Sequence, residues 1–482
     1  MMALKLFENL SELFPDNLKP SELSQFKTVF YKELSLACHQ YYQGKMMTIP
    51  KAGFYGLEWF NVWYTPGISK ISTTIRDDEM ASFSLTSRGS QVAVISDSTR
   101  VLGDGDVTPA GGLGVMEGKA YLIKLLGGLD ATPLCINSRN RSGQPDPERI
   151  IQFVEMVQHS FAAINLEDIS QPNCYRVLDQ LRERCTIPVW HDDAQGTGSV
   201  VLAGLMNALK LVNKSLSDVR IVFIGAGAAN TSTARLIISA GGDPHRMVLF
   251  DSKGGLSRQR QDIAERPEFY RKWQLCEQTN PDAITSIDQA VKEADVLISI
   301  SRPGPDRIDP TWIQQMAHKP IVFALANPVP EIYPYAAKEA GAFIVATGRG
   351  DFDNQVNNSL GFPAILKGAV MARASRITDT MAVAAARSLA GFAEKRGLTP
   401  STILPIMTEK GFMSQEAADV AMQAVKDGVA RDVRTRDEYL RQAHEDMMES
   451  RNLHQHLMDA GIIKTPPESL IRQAIQNALE QI

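Results

Sequence analysis

The chain has 482 residues, of which 44% are hydrophobic and 22% charged, so two or three domains rather than one core are expected. Its formal net charge of -5 excludes a basic nucleic-acid-binding surface, and no apolar run approaches the ~20 residues of a membrane-spanning helix. The stretch from Met1 to Leu10 carries charges where a signal peptide would have its apolar region, so export is not expected. The five cysteines are widely spaced without a CxxC pattern, which predicts reduced thiols in a cytoplasmic protein whose partners are small molecules or further copies of itself.

From about residue 91 onward, short apolar runs alternate with amphipathic helical patterns, which is typical of parallel βαβ architecture. The predicted strands are Gln91–Ser96, Ala162–Leu166, Pro188–His191, Arg220–Ile224, Met247–Phe250, Asp295–Ile300, Pro320–Leu325 and Ala342–Ala346. Helical spacing is clear at Glu148–Ser160, Ser199–Val212 and Thr231–Ala240, and from Ile377 the pattern is helical throughout. Because open parallel sheets bind ligands at the carboxyl ends of their strands, the residues that follow each strand are candidates for a site.

Two of the predicted strands end in adjacent carboxylates. One is followed by Glu167 and Asp168, and the next by Asp192 and Asp193. If these strands are neighbours, four acids meet at one edge and repel each other unless cations or protons neutralise them. Oxygen ligands at this density suit Mg²⁺ or Mn²⁺. The alternative is that the acids cap helices, since Asp193 precedes a helix predicted near Thr197, but the doubled arrangement favours a metal site.

A glycine-rich turn follows the strand predicted at residues 220–224. Gly225 and Gly227 occupy the first two positions of the GxGxxG fingerprint, where they permit a tight turn and let a pyrophosphate approach the next helix. Asn230 stands at the third position, although the adjacent Ala229 allows close helix packing. An ordinary strand-to-helix turn is the alternative. Dinucleotide binding is favoured because Asp251 ends the following strand, where a carboxylate accepts hydrogen bonds from ribose hydroxyls.

Asp251 also bears on which dinucleotide binds. Its charge would repel a 2′-phosphate and so favours NAD, whereas Ser252 and Lys253 could receive that phosphate, which leaves NADP as the alternative. The sequence therefore predicts an α/β protein with three regions. These are an α/β substrate and metal domain over residues 1–192, a Rossmann-type parallel-sheet NAD(P)-binding domain over 193–376, and a helical C-terminal region over 377–482.

Seven longer motifs carry a family likeness. They are Tyr64-Thr-Pro-Gly67, Val115-Met-Glu-Gly-Lys119-Ala, Ile164-Asn-Leu-Glu167-Asp168-Ile, His191-Asp-Asp193 with Gly196-Thr197, Gly225-Ala-Gly227-Ala-Ala229, Ala324-Leu-Ala-Asn327-Pro-Val-Pro-Glu331, and Asn354-Gln-Val-Asn357-Asn358 with Gly361-Phe-Pro363. Over about residues 60 to 390, the chain resembles the malic enzymes, especially the shorter bacterial type. The resemblance implies oxidative decarboxylation of L-malate to pyruvate and CO₂, reduction of NAD or NADP, a divalent metal, and a homodimer or homotetramer.

Carried over by position, the resemblance also implies a role for each matching residue. Lys119 resembles the general base and Tyr64 the general acid, while Asp192 would orient Lys119. The metal ligands would be Glu167, Asp168 and Asp193. Substrate contacts would come from Arg100, Asn327 and Asn358, and dinucleotide contacts from Gly225, Gly227, Ala228, Ala229, Asp251 and Asn327.

These residue types suit the reaction. A base that removes the proton from the malate hydroxyl needs a lowered pKa, which a lysine beside a bound cation and away from water would have. The metal would stabilise negative charge on that oxygen and on the enolate left when CO₂ departs. A phenol such as that of Tyr64 can then protonate enolpyruvate at carbon. Taken alone, Lys119 and Tyr64 would each look like ordinary surface or packing residues.

The chain departs from the common family pattern in the loop after Arg100. Asp104 stands where an apolar residue is usual and Thr108 where glycine is usual, and Ser98 and Ala194 also differ. Asp104 would weaken binding of an anionic substrate unless it is paired or points away. The alternatives are therefore an enzyme for a substituted malate, a malolactic-type enzyme, an oxaloacetate decarboxylase, or a catalytically weakened paralogue that senses dinucleotide or dicarboxylate. Retention of every proposed catalytic group favours an enzyme.

Overall fold

The structure is a computed structural model that describes Phe7, residues 9–101 and residues 103–482. The chain divides into two compact units, which we call the terminal unit (Met1–Lys51 with Glu449–Ile482) and the main unit (Ala52–Met448). The three-region division expected from the sequence stays a prediction. No helix in the described part of the chain is long and apolar enough to cross a membrane.

The first half of the main unit is built around a four-stranded parallel sheet. Its strands are β1 (Gln91–Ser96), β2 (Asp130–Cys135), β3 (Ala163–Leu166) and β4 (Val189–His191), in the order β2-β1-β3-β4. Helices up to this point are α1 (Pro20–Tyr42) in the terminal unit, then α2 (Trp59–Trp63), α3 (Ile68–Asp77), α4 (Ser82–Leu85), α5 (Thr108–Gly111), α6 (Leu113–Gly127), α7 (Pro147–Val157) and α8 (Asn173–Arg184). Strands β1, β3 and β4 are almost wholly buried, because apolar residues occupy both faces of this central part of the sheet.

The register of this sheet brings three strand ends side by side. Leu166 pairs with Ile95 of β1 on one side and with His191 of β4 on the other, so the residues after these strands emerge at the same edge. A π-helical turn over Asp192–Gly196 follows β4 and leads into α9 (Thr197–Val212). Such turns occur frequently at functional sites because they displace side chains from the regular helical spacing.

The second half of the main unit contains a six-stranded sheet. Its strands are β5 (Ile221–Ile224), β6 (Met247–Asp251), β7 (Gly254–Gly255), β8 (Val296–Ser299), β9 (Ile321–Ala324) and β10 (Ile344–Thr347). Their order is β10-β9-β8-β5-β6-β7, and all pairs are parallel except β6 with β7. The helices are α10 (Ala228–Ser239), α11 (Gln261–Ala264), α12 (Tyr270–Gln278), α13 (Ile287–Ala290), α14 (Pro310–Gln314), α15 (Pro334–Glu339) and α16 (Phe362–Met371). Chain order reverses between β5 and its neighbour β8, which marks the crevice where such sheets bind dinucleotides.

The strand predictions are confirmed, since each of the eight predicted strands is present within two residues of its predicted bounds. Strand β2 was not predicted. It lies at the edge of its sheet, it is only half-buried throughout, and it includes Pro133. An edge strand with proline lacks the apolar run that marks a central parallel strand, which explains the omission.

The chain continues with four helices, α17 (Asp379–Arg396), α18 (Phe412–Lys426), α19 (Arg436–Asp459) and α20 (Glu468–Leu479). Helix α18 packs on α16 and α17, and α17 packs on α9. Their alanine-rich faces join the main hydrophobic core together with residues of both sheets. In the terminal unit, α1 and α20 pack together around a separate core of Phe26, Phe30, Leu34, Ile471, Ala474 and Ala478.

Candidate active site

Lys119 lies on α6 and projects to the edge where β3 and β4 end. Its Nζ makes an ion pair with Glu167 Oε1 at 3.1 Å and a shorter one with Asp192 Oδ2. The same nitrogen lies 4.5 Å from the centre of the Phe362 ring, within cation–π range. The side chain is 11% exposed, so Lys119 is held between two carboxylates and an aromatic face.

Burial alone would lower the pKa of Lys119, but the carboxylates of Asp192, Glu167 and Asp193 more than offset it. The pKa therefore lies above its usual value. The lowered pKa expected from the sequence stays a prediction for the site with a cation bound. That expectation included a bound cation, whose charge would oppose the carboxylates.

Glu167, Asp168 and Asp193 form the carboxylate cluster. Each can place one oxygen within 4.8 Å of the others, with Glu167 and Asp168 buried. The Asp168 N–H donates to Asp193 Oδ2 at 2.7 Å, and Asp168 has a φ of +52°, a left-handed conformation that few non-glycine residues adopt. Burial, reinforced by Asp193, raises the pKa of Glu167 well above its usual range.

The donor set of this cluster fits a dication. With Asp192, four carboxylates meet here, and Lys119 forms ion pairs with two of them, Glu167 and Asp192. All the donors are carboxylate oxygens, which suit Mg²⁺ or Mn²⁺ rather than a softer metal. Glu167, Asp168 and Asp193 are therefore the residues that would hold such an ion.

Asp192 differs from Asp193 because its oxygens already accept hydrogen bonds from other residues of the protein. Asn358 Nδ2 donates to Oδ2 at 2.7 Å, and Trp190 Nε1 donates to Oδ1 at 3.4 Å, in addition to the Lys119 ion pair. A side chain at Gly196 would overlap Asp192 Oδ1, which explains glycine in this turn. Asp192 is thus fixed in place and joins Lys119 to Asn358.

The loop after β1 approaches both the carboxylate cluster and the second sheet. The Arg100 N–H donates to the Asp168 carbonyl at 3.0 Å, and the Arg100 side chain is exposed. A Cβ at Gly103 would lie 3.5 Å from the Asn327 carbonyl oxygen. Asp104 is exposed, whereas Asp106 forms an ion pair with Arg139. The structure therefore places Arg100 beside the carboxylate cluster and places Gly103 near Asn327.

The glycine turn after β5 has the geometry that dinucleotide binding requires. Gly225 has a φ of +94°, and a Cβ there would lie 2.5 Å from the Ile300 carbonyl oxygen, so only glycine fits. Helix α10 begins at Ala228, directly after the turn. Asn230 Nδ2 donates to the carbonyls of Ile224 and Gly225 at 3.0 and 2.8 Å. The unusual third residue of the fingerprint therefore fixes the turn through hydrogen bonds.

Asp251, at the end of β6, is surrounded by cations. Arg260 donates to both of its oxygens at 2.9 Å, and Lys272 makes a shorter contact. Although partial burial acts in the opposite direction, these hydrogen bonds lower the pKa of Asp251 to about 2. Its negative charge is therefore largely compensated within the protein.

Asn327 lies in the loop after β9, and a buried carboxylate fixes that loop. Glu331 accepts hydrogen bonds from Ser299 Oγ at 2.8 Å, from the Ser301 N–H at 2.9 Å and from the Ala326 N–H at 2.9 Å. The loops that follow β8 and β9 are therefore tied together at the carboxyl edge of the second sheet.

Tyr64 makes no hydrogen bond with Lys119 or the carboxylate cluster within the described chain. It follows α2 in an exposed segment, its side chain is 72% exposed, and its hydroxyl makes no hydrogen bond with any described residue. Of the residues expected at the site, the structure brings together Lys119, Glu167, Asp168, Asp192, Asp193 and Asn358. No hydrogen bond links Tyr64 to them in the part of the chain that the structure describes.

Comparison with known proteins decides the family. A family model described as "Malic enzyme, N-terminal domain" matches residues 56–182, and one described as "Malic enzyme, NAD binding domain" matches residues 194–427. The chain belongs to the malic enzyme family. The resemblance found in the sequence and the expectation of an NAD(P)-dependent oxidoreductase are confirmed.

Relatives in the malic enzyme family cover most of the chain. The NAD-dependent malic enzyme of Geobacillus stearothermophilus is 40% identical over 76% of this chain and 74% of its own length. The bifunctional malic/malolactic enzyme of Bacillus subtilis (strain 168) is 38% identical over 83% and 94%. Among solved structures, the malic enzyme of Entamoeba histolytica is 57% identical over 98% of each chain, with a TM-score of 0.95.

Three residues of this malic enzyme site were not singled out from the sequence. Asn165 is buried within β3 and donates to Glu167 Oε2 at 2.9 Å, so it orients a proposed metal ligand. Phe362 contacts Lys119, and Glu331 fixes the Asn327 loop. A signal existed for Asn165, because a polar residue inside an apolar strand needs a partner. Phe362 and Glu331 fell within the family motifs, where nothing distinguished them from packing residues.

Proposed function

We propose that this chain catalyses the metal-dependent oxidative decarboxylation of L-malate, or a close 2-hydroxy dicarboxylate, to pyruvate and CO₂ with reduction of NAD(P). The placement of Lys119 carries the proposal, because a buried amine lies between Asp192 and Glu167 at the edge of the carboxylate cluster. In this arrangement, a base and a dication can both act on the hydroxyl group of the substrate. Membership of the malic enzyme family supports this reaction class.

Each side chain of the site has its own role in the oxidation step. When bound, a dication held by Glu167, Asp168 and Asp193 would stabilise negative charge on the hydroxyl oxygen, and the nicotinamide would accept hydride from carbon 2. Lys119 Nζ takes the hydroxyl proton, and Asp192 keeps that nitrogen in place. The guanidinium of Arg100 binds a substrate carboxylate.

Lys119 can accept a proton only as the neutral amine. The carboxylates of Asp192, Glu167 and Asp193 raise its pKa, so engagement of Glu167 and Asp193 by a dication favours the neutral form. Asn358 restrains Asp192 through its 2.7 Å hydrogen bond and is proposed to contact the substrate as well. Asn327 is proposed to contact substrate and nicotinamide from the loop that Glu331 fixes.

Loss of CO₂ leaves enolpyruvate, which must gain a proton at carbon 3, and we propose Tyr64 as the donor. Its exposed segment also carries several exposed apolar side chains. They are Phe54, Tyr55, Leu57, Phe60, Val62 and Trp63. Contiguous apolar exposure of this kind marks interfaces, and interface cores are enriched in aromatic residues. We therefore propose a homodimer or homotetramer in which Tyr64 of one copy completes the site of another.

We propose NAD as the dinucleotide, bound along Gly225, Gly227, Ala228 and Ala229 with Asp251 at the ribose, and NADP as the alternative. Compensation of Asp251 by Arg260 and Lys272 supports the alternative, because it weakens repulsion of a 2′-phosphate. Steady-state kcat/KM with each dinucleotide distinguishes them. If NADP is used, Lys253→Met lowers its kcat/KM and leaves that of NAD unchanged.

A cytoplasmic location with small-molecule partners is consistent with the net charge of -5.

The test of the function is formation of reduced nicotinamide, followed by its absorbance, with NAD and NADP separately. Four- and five-carbon hydroxy acids are compared with Mn²⁺ and then with EDTA. We expect malate-dependent, metal-dependent turnover that Lys119→Ala abolishes while dinucleotide still binds. Lys124→Ala, on the same helix but paired with Asp130, is the matched control and keeps activity.

Other products would identify the alternative functions. Lactate from malate without net nicotinamide reduction indicates a malolactic enzyme, an activity named for the Bacillus subtilis relative. Turnover of oxaloacetate without turnover of malate indicates a decarboxylase. Absence of turnover with all these acids, with dinucleotide binding retained, contradicts the proposal and favours a sensing paralogue.

A further inference from the structure

A cleft of about 660 Å³ opens on the main unit between α8, the start of α12 and the N-terminus of α17. Its walls carry many charged and hydrogen-bonding side chains. They include Arg176, Asp179, Arg182, Glu183, Arg376 and Asp379. None of the lining residues belongs to the carboxylate cluster, the glycine turn or the Asn327 loop, so the cleft is separate from the proposed active site.

Arg182 is the unusual residue of this cleft. Its side chain is 15% exposed, and its ion pair with Asp379 is long, at 3.6 Å. Its Nε and Nη2 are buried and have no hydrogen-bond partner among the described residues. A guanidinium has five donors and is rarely buried without acceptors, because leaving them unpaired is unfavourable. Burial correspondingly lowers the pKa of Arg182.

The acids around Arg182 are shared with other arginines. Asp179 is occupied by Arg271, whose Nε donates to it at 2.9 Å. Asp379 also receives Arg235 Nη2 at 3.4 Å, so one carboxylate serves two guanidinium groups. Two carboxylates, Asp179 and Asp379, therefore serve the three guanidinium groups of Arg182, Arg235 and Arg271.

Two further features of the cleft favour an anion. The wall includes Thr378, which caps α17, and the first two residues of that helix, Asp379 and Thr380, so the positive end of an 18-residue helix faces the cleft. Arg376, just before that turn, is exposed and makes no ion pair or hydrogen bond with a described residue. Asp379, the exposed Glu183, and Asp427, which accepts hydrogen bonds from Thr378 and Thr380, oppose an anion. Binding is therefore limited to groups that form direct hydrogen bonds with a guanidinium.

We propose that this cleft binds a small oxyanion, with phosphate or carboxylate chemistry, held by Arg182 and Arg376 at the N-terminus of α17. Both groups present paired oxygens that match the guanidinium fork. A bound anion would give Arg182 an acceptor besides Asp379. The site does not depend on the proposed reaction.

The test uses the full-length protein in EDTA, without dinucleotide, at constant ionic strength. Inorganic phosphate and, separately, succinate are titrated while Tm and heat of binding are measured. We expect saturable binding of at least one, and the tighter of the two identifies the chemistry. Arg182→Met should weaken it about tenfold or more, since a charged bidentate contact is lost.

Two kinds of variant keep the test decisive. Arg376 is exposed and makes no ion pair with a described residue, so the Arg376→Ala variant should fold normally. It should also weaken binding several-fold. Lys119→Ala removes the lysine of the active site, and Arg472→Met removes an exposed arginine of the terminal unit; both should bind as wild type does. Binding unchanged by Arg182→Met and Arg376→Ala, binding lost in Lys119→Ala, or no saturable response in wild type would overturn the proposal.

Discussion

Asp192 and Asp193 are adjacent in sequence but differ in surroundings. Asp192 is fully buried and bound by Lys119, Asn358 and Trp190, whereas the Asp193 side chain is 35% exposed within the carboxylate cluster. We expect Asp192→Asn to lower kcat about 100-fold with little change in Mn²⁺ affinity, because it loosens the base. Asp193→Asn should weaken Mn²⁺ affinity about tenfold or more, because it removes a ligand.

The two variants are compared by steady-state kinetics over a Mn²⁺ titration and by direct metal binding. Asp218→Asn, at an exposed site whose carboxylate accepts a hydrogen bond from Ser217, is the matched control and should change neither quantity. If Asp192→Asn weakens Mn²⁺ binding as much as Asp193→Asn does, Asp192 is a ligand and its assigned positioning role is wrong.

The carboxylate cluster beside Lys119 also predicts a metal-dependent stability. Glu167, Asp168 and Asp193 repel each other in the folded protein, so an ion that binds only this state stabilises it. Mn²⁺ at 100 times its Kd should add about 2.7 kcal/mol to the free energy of unfolding. Thermal unfolding with EDTA and with Mn²⁺ measures this. An equal Mn²⁺ response in Asp193→Asn would argue against the assigned ligands.

Among the elements, α18 buries a carboxyl group that no described residue satisfies. Glu416 is fully buried and neither oxygen has a hydrogen-bond partner among the described residues. Burial, with a smaller contribution from Asp419, raises the pKa of Glu416 well above its usual range. The folded chain thus keeps a proton that the unfolded chain releases above about pH 4.3.

Stability should therefore fall as pH rises from about 4.3 toward the folded pKa of Glu416, by about 1.4 kcal/mol per pH unit from this group. Glu416→Met removes the contribution, so the variant gains stability relative to wild type as pH rises above about 4.3. Urea unfolding at several pH values measures the difference. Glu339→Met, at an exposed glutamate, should show no such trend. A difference independent of pH would contradict the assignment.

The elements that could be predicted from the sequence are the buried ones, because their residues are mostly apolar. Strands β1, β3 and β5 are apolar runs ended by polar or glycine residues, and both sheets follow from them. The edge strand β2 gave no such signal because Pro133 interrupts it and its residues are only half-buried. The local sequence pattern therefore identifies central strands. It misses an edge strand that is recognisable only from its pairing in the folded structure.

The carboxylate cluster was predictable for the same reason, since parallel strands that end together bring their following residues together. The Lys119 ion pair with Asp192 was different, because the two residues are 73 positions apart and helix α6 carries no pattern that indicates it. Only the family motif indicated Lys119. The hydrogen bonds from Asn230 to the glycine turn also needed coordinates, since sequence marked that residue only as a departure from the fingerprint.

For the whole molecule, the exposure of Tyr64 links oligomerisation to catalysis, because the proposed acid would reach the site from another copy of the chain. If Tyr64 of one copy serves Lys119 of another, Tyr64→Phe and Lys119→Ala chains are each inactive but complement each other when mixed. A dimer with one chain of each kind has one site with both an intact tyrosine and an intact lysine. Random pairing of equal amounts should restore about a quarter of wild-type activity.

The mixture is prepared by refolding or co-expression, and its mass is measured alongside activity. Mixing Lys119→Ala with Asp192→Asn is the matched control, because both changes affect the same half of the site and no combination restores it. If Tyr64 instead folds back onto its own chain, the first mixture remains as inactive as its components. Activity in that mixture alone would explain why the chain exposes Trp63 and Tyr64 side by side, since the surface that joins two copies would also deliver the acid.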